Sequence, residues 1–215
     1  MRKIIFLCTI ILATISISCK DAGAENKSKQ DIVFKDGDII FQTSESSQCE
    51  AVRLATQSKF SHCGIIFTDR GENYVLEAVQ PVKITPLKTW IQHGRDQAYL
   101  VKRLKMSAGV LSSKQIVEMK IYGKKLLHKD YDLYFEWSDD KIYCSELVWK
   151  IYEHGAHISL CPFKKLKSFD LSAPQVQQIM QERYGTKIPL EEQVIAPSQL
   201  AESEKLETIF DNYTF

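Results

Sequence analysis

The sequence predicts a single α+β domain built on an antiparallel sheet. Three observations point there. A chain of 215 residues that is 44% hydrophobic can bury one substantial core. Short strand-like runs crowd its first half, whereas runs with helical periodicity dominate the second. Two of the strand-like runs flank the turn Thr68-Asp69-Arg70-Gly71, which reads as a hairpin, the signature of antiparallel pairing. No internal repeat or long low-complexity run interrupts this pattern.

In chain order, Asp36-Gly37-Asp38 reads as a turn and Ile39-Ile40-Phe41 as the strand it opens. Cys49 to Gln57 places Ala51, Leu54 and Ala55 on one side of a short helix. Phe60 to Phe67 and Asn73 to Val79 are the hairpin strands, and 82–84 is extended. Leu87 to Gln92 follows Pro86 as a short helix, and Tyr99 to Leu104 alternates as a strand. The longest helical pattern, Ser112 to Leu127, carries Ile116, Met119, Tyr122 or Gly123, and Leu126 on one stripe, with its start at Ser113. A second helix begins at Cys144, where Cys144, Leu147, Val148 and Ile151 share a face, and Gly155 is the expected stop. The segment 163–171 reads as loop. Pro174 to Tyr184 is helical with proline in the first turn, Ala196-Pro197-Ser198 opens a helical turn, and Leu206 to Phe210 closes with a strand.

Ahead of this domain, residues 1–18 have the layout of an export signal. Arg2 and Lys3 are positive, and the stretch from Ile4 to Ile17 is apolar apart from Thr9, Thr14 and Ser16. It is too short to span a bilayer, which needs about 20 apolar residues. Cys19, directly after Ser18, resembles the lipid-modified first residue of a bacterial lipoprotein, although Ser16 stands where such signals usually have leucine. Residues 19–30 are small, polar and charged, and read as a tether; the domain then spans 31–215. The expected location is therefore the bacterial cell envelope, with the membrane reached through an N-terminal lipid. A balance of 28 Lys+Arg against 27 Asp+Glu offers no electrostatic case for nucleic acid. Cys8, Cys19, Cys49, Cys63, Cys144 and Cys161 are too sparse for a disulfide scaffold, and bridges among Cys49, Cys63 and Cys161 are left open. No C-x-x-C or H-E-x-x-H spacing occurs, so neither a metal nor another cofactor is expected.

The residues that carry chemistry are Cys144, His62 and Glu77. The free N–H groups and dipole of a helix start favour thiolate, so a cysteine there suits a nucleophile. On its own a free cysteine is more often just a small buried apolar residue. A symmetric four-residue turn at 68–71 sets hairpin partners whose numbers sum to 139, placing His62 opposite Glu77 on one face. A two-residue slip would keep them diagonal on that face, and a one-residue slip would separate them. Glu77 lies between Leu76 and Ala78 in an apolar run, where a carboxylate needs a partner. Bonded to His62, it would orient the ring as the third member of a catalytic triad does. His93, His128, His154 and His157 have no carboxylate so placed.

The segments Gly37-Asp38-Ile39-Ile40-Phe41, Ser61-His62-Cys63-Gly64-Ile65, Val75-Leu76-Glu77-Ala78, Tyr131-Asp132 and Tyr143-Cys144-Ser145-Glu146-Leu147-Val148 resemble the permuted papain-like amidases of the YaeF/YiiX group, within the wider NlpC/P60 superfamily. The resemblance runs from about residue 36 to 210, and its most specific part is the order His, Glu, Cys, circularly permuted from Cys first. It implies a papain-like α+β fold, an antiparallel sheet or open barrel against helices. Cys144 is then the nucleophile, His62 the base and acid, and Glu77 the orienting residue. Cys63 departs from the pattern, since an aliphatic residue is common there. Facing away from His62, it is not read as part of the site. Tyr131 and Tyr143 are candidate donors to an oxyanion beside the Cys144 N–H. The expected activity is a cysteine amidase or peptidase acting through an acyl-enzyme on a cell-envelope peptide, peptidoglycan fragment or lipid. An acyltransferase of the same fold and a non-catalytic envelope-binding lipoprotein are the alternatives. A metallohydrolase using His62, Cys144 and Glu77 or Glu146 ranks below them.

Overall fold

The computed structural model describes residues 32–214, and the readings of a signal, a tether and Cys19 lie outside them. The domain is α+β, as expected. Its main sheet has six strands, β1 (Ile39–Gln42), β2 (His62–Asp69), β3 (Glu72–Glu77), β4 (Lys83–Pro86), β5 (Tyr99–Leu104) and β8 (Leu206–Asp211). Their order is β4-β3-β2-β1-β5-β8, and every pairing is antiparallel. A two-stranded ribbon joins β6 (Lys164–Lys165) to β7 (Gln193–Val194), inside and beyond a segment that sequence reads only as loop.

The helices are α1 (Ser47–Thr56), α2 (Leu87–Gln92), α3 (Ser113–Leu126), α4 (Cys144–Ile151), α5 (Pro174–Tyr184) and α6 (Pro197–Ala201). α3 starts at Ser113, and the residue that caps it lies one position earlier. Ser112 is its N-cap, its hydroxyl accepting from the Gln115 N–H while Gln115 Oε1 accepts from the Ser112 N–H, a capping box.

Side-chain alternation divides the strands between two apolar layers. Ile39, Phe41, Cys63, Ile65, Leu76 and Leu100 face α3 and α4, where Met119, Leu147, Val148 and Ile151 complete the principal core. Ile40, Ile66, Val75 and Val101 face the other way, onto Leu87 and Trp90 of α2. Because both faces are covered, β1 reads as the unbroken apolar run Ile39-Ile40-Phe41 rather than as an alternation. Ala51 of α1 and Val176 and Met180 of α5, together with Leu166, form a third, smaller core.

Two local expectations change. The β2–β3 turn has two residues, not four: Thr68 and Asp69 remain in the ladder, opposite Asn73 and Glu72. Arg70 and Gly71 make the turn with φ of 50° and 85°, the paired positive values of a type I′ hairpin. The partners therefore sum to 141, with Gly64 opposite Glu77, a two-residue slip that leaves His62 and Glu77 diagonal on one face. Gly155 does not stop the Cys144 helix. A wider turn continues α4 over Tyr152–Ala156, and His157 ends it in the left-handed region at φ 58°. Gly155 instead lies against α3, where an added Cβ would stand 2.5 Å from Met119 Cα. The need there is for close approach between backbones, not for chain reversal.

Candidate active site

Cys144 is the first residue of α4, preceded by Tyr143 in extended conformation at the N-cap. All eight residues of α4 are buried, including Glu146 and Lys150. The Glu146 carboxylate accepts the Tyr143 N–H at 3.2 Å, and Lys150 Nζ stands 2.8 Å from its other oxygen. Lys150 is held further by Asp139 at 2.7 Å and by the Ser138 carbonyl at 2.6 Å. Burial outweighs these partners and raises the Glu146 pKa to about 7.

β2 begins at His62, and β3 ends at Glu77. Despite the slipped register, His62 Nε2 is 2.7 Å from Glu77 Oε2. The other carboxylate oxygen accepts the Thr85 hydroxyl at 2.5 Å, from β4. Trp90 of α2 stacks on the imidazole, with ring centroids 5.8 Å apart. The carboxylate and the indole thus fix the ring from its edge and its face. With Nε2 taken by Glu77, Nδ1 is the nitrogen left for the thiol.

His62, Glu77 and Cys144 are coupled electrostatically. Burial acts to lower the His62 pKa, but hydrogen bonds to Cys144 and Glu77, and their charges, overcome it and hold the ring at about 10. Burial likewise acts to raise Glu77; the bond to His62, its charge and the Thr85 hydroxyl prevail and keep the carboxyl below its ordinary value. Cys144 is lowered well below an ordinary thiol, first by a hydrogen bond from the Cys63 side chain, against desolvation, and then by the bond and charge of His62. The favoured state at neutral pH is therefore thiolate beside imidazolium. Cys63 points to the opposite strand face from His62, as expected, yet reaches the same sulfur, which sequence reasoning missed. Burial and its bond to Cys144 raise its own pKa, so it stays a protonated donor.

The two candidate tyrosines separate. The Tyr143 hydroxyl accepts the Ile195 N–H at 3.1 Å, which ties it to the wall of the cleft. Tyr131 is the one that reaches the thiol: burial and the neighbouring Cys144 both push its hydroxyl well above an ordinary phenol. Its loop is joined to the entry of α4 by a bridge between Tyr131 and Ile142. Among the described residues, Cys49, Cys63, Cys144 and Cys161 are all free thiols.

Two hollows meet at this centre. One is apolar; it is lined by Val52, Ala55, Leu166, Phe169 and Ile195, and Cys144 opens into it. The other, a groove more polar than the first, is lined by Gln42, Gln48, Glu77, Lys83 and His93 on the His62 side. Ser61 and Tyr131 border both. A group bound across the thiol would place one half in each.

Comparison with known proteins agrees with this fold. The family described as permuted papain-like amidase enzyme, YaeF/YiiX, C92 family, matches residues 33–210. A protein of Escherichia coli (strain K12) called uncharacterized protein YiiX is 47% identical over 173 residues, covering 80% of this chain and 84% of that one. A crystal structure described as metalloprotein yiiX from Escherichia coli O157:H7 has a TM-score of 0.79 at 46% identity, covering 83% of this chain and 98% of the other.

Proposed function

The chain belongs to the YaeF/YiiX family of permuted papain-like amidases, and from that premise we propose that it is a cysteine hydrolase that opens an amide or ester bond through an acyl-enzyme. The observation that carries the proposal is the buried line Cys144, His62, Glu77, with a 2.7 Å bond between ring and carboxylate and a thiol made acidic by its neighbours. Cys144 thiolate attacks the carbonyl carbon, forming a C–S bond while the carbonyl π pair moves to oxygen. The His62 imidazolium gives its proton to the leaving nitrogen or oxygen as that bond breaks. Neutral His62 then takes a proton from water, whose oxygen displaces Cys144 and releases the acid. Glu77 keeps the ring in place and favours imidazolium throughout. First-turn N–H groups at Cys144 lack intrahelical acceptors and suit the oxyanion, with the Tyr131 hydroxyl as a further donor.

The two hollows support a substrate of mixed character, with an apolar group on the acyl side and a polar leaving group in the groove beside His62. A peptide, peptidoglycan-fragment or lipid amide of the cell envelope has that chemistry. The positive start, apolar run and Cys19 at the chain's beginning support export and anchoring by a lipid; incorporation of radiolabelled palmitate that persists in Cys19→Ala would exclude it. Among the described residues no three His, Cys, Asp or Glu side chains are grouped to hold a metal ion. No step is routed through one.

Turnover of p-nitrophenyl acyl esters and of envelope-derived amides tests the reading. Cys144→Ala and His62→Ala are expected to lose at least about 10³-fold in kcat, and Glu77→Gln roughly 10²-fold. Full activity in Cys144→Ala would end the proposal. Release of acid in water, without added amine or alcohol, separates a hydrolase from an acyltransferase.

A further inference from the structure

Arg183, in the last turn of α5, binds two segments at once. One guanidinium N–H donates to the Leu133 carbonyl at 2.7 Å, and another donates to Gln48 Oε1 on α1 at 2.7 Å. The guanidinium also lies over the Phe135 ring, 5.5 Å from its centroid. Arginine is a donor only, so the contact fixes which end of the Gln48 amide faces it: the carbonyl oxygen must. The amide nitrogen then faces the other way, and Gln48 Nε2 donates to Tyr131 Oη at 3.1 Å.

A phenol has one proton. Because Gln48 occupies the hydroxyl oxygen as donor, the Tyr131 proton has to be given elsewhere. Tyr131 stands where the apolar hollow and the polar groove meet, beside Cys144. The acceptor there is the Cys144 sulfur in the resting site and the carbonyl oxygen once it gathers charge. We infer that Gln48, locked by Arg183, is a positioning residue that turns the Tyr131 proton toward the reacting atoms. The assignment rests on Cys144 as the nucleophile of the proposed reaction. Nothing in the local sequence marks Gln48 or Arg183, since they lie on different helices and meet only through the packing of α1 on α5.

Gln48→Glu tests the direction of the bond with little change of shape. One carboxylate oxygen keeps Arg183; the other faces Tyr131 as an acceptor and draws the phenol proton away from Cys144. The measurement is the pH dependence of Cys144 alkylation by iodoacetamide, followed by mass mapping, in the full chain and its Gln48→Glu, Tyr131→Phe and doubly substituted forms. Gln48→Glu is expected to cut the acidity of the Cys144 thiol, read from the midpoint of the alkylation profile, about tenfold more when Tyr131 is present than when it is phenylalanine. The uncharged Gln48→Met should give a smaller loss of the same kind, again confined to the Tyr131 background. Equal losses in both backgrounds would mean that the added charge acts directly, and would overturn the relay; so would no loss at all. No substrate is needed, so the outcome is independent of the turnover assay. If Cys144→Ala still turns over substrate while this cycle shows coupling, the catalytic reading fails and the proton relay stands.

Discussion

Cys63 and Cys144 belong to a strand and a helix, yet one thiol donates to the other, and this donation is the largest influence lowering Cys144. Cys63→Val is therefore expected to raise the apparent pKa of Cys144 in alkylation experiments while His62 and Glu77 stay bonded; an unchanged profile would show that the helix start and His62 suffice. In the parent protein, alkylation should select Cys144 over Cys63 and over Cys161, which burial pushes up to about 11. The sign of the activity profile follows from the same pair. Thiolate is retained as pH falls until it drops through the depressed Cys144 value, and imidazolium is retained as pH rises until about 10, so the working window is broad and extends well into alkaline pH. His62, Glu77 and Cys144 were legible in the sequence because each is odd for its setting: a charge in an apolar strand, an imidazole on the same hairpin, a thiol at a helix start. Cys63, Thr85 and Trp90 were not, because each looks ordinary in its own segment and acquires its role from a neighbour far along the chain.

Among the elements, α4 carries the largest internal conflict, a helix buried along its whole length with a carboxyl inside. For Glu146 the folded pKa, about 7, exceeds its ordinary value of 4.5. Its contribution to stability is thus most favourable below pH 4.5 and is lost as pH rises through 7. Gln at this position can still accept the Tyr143 N–H, and Lys150 keeps Asp139 and the Ser138 carbonyl. Glu146→Gln should therefore gain in melting temperature relative to the parent as pH moves from 5 to 9; a difference constant across that range would refute it. The β2–β3 hairpin shows how far elements could be read from sequence. Both strands were legible as short apolar runs on either side of a turn, but the turn length was not, since Thr68 and Asp69 have turn chemistry yet stay in the ladder. Arginine is not a usual type I′ residue, so only Gly71 signalled the tight loop. The side-chain period of two preserved the shared face through the slip.

At the scale of the whole molecule, the α+β class was readable because strands and helices separate along the chain, and the permuted order because the segments around His62, Glu77 and Cys144 resemble the family's motifs in that order. The packing of α1 on α5, which builds one wall of the apolar hollow, was not, because it joins segments more than 100 residues apart. The order His, Glu, Cys has a further consequence for the newborn chain. Synthesis of the hairpin that activates the thiol is complete about 70 residues before the thiol itself is made. Before α4 docks, Cys144 has neither imidazolium nor second thiol beside it, and its acidity is that of any cysteine in water. The reactive sulfur thus comes into being only when α4 packs against the strands that carry His62 and Cys63. An unfinished or unfolded chain carries only an ordinary thiol, and reactivity toward electrophiles at acidic pH, where an ordinary thiol is protonated, becomes a report that the domain has closed.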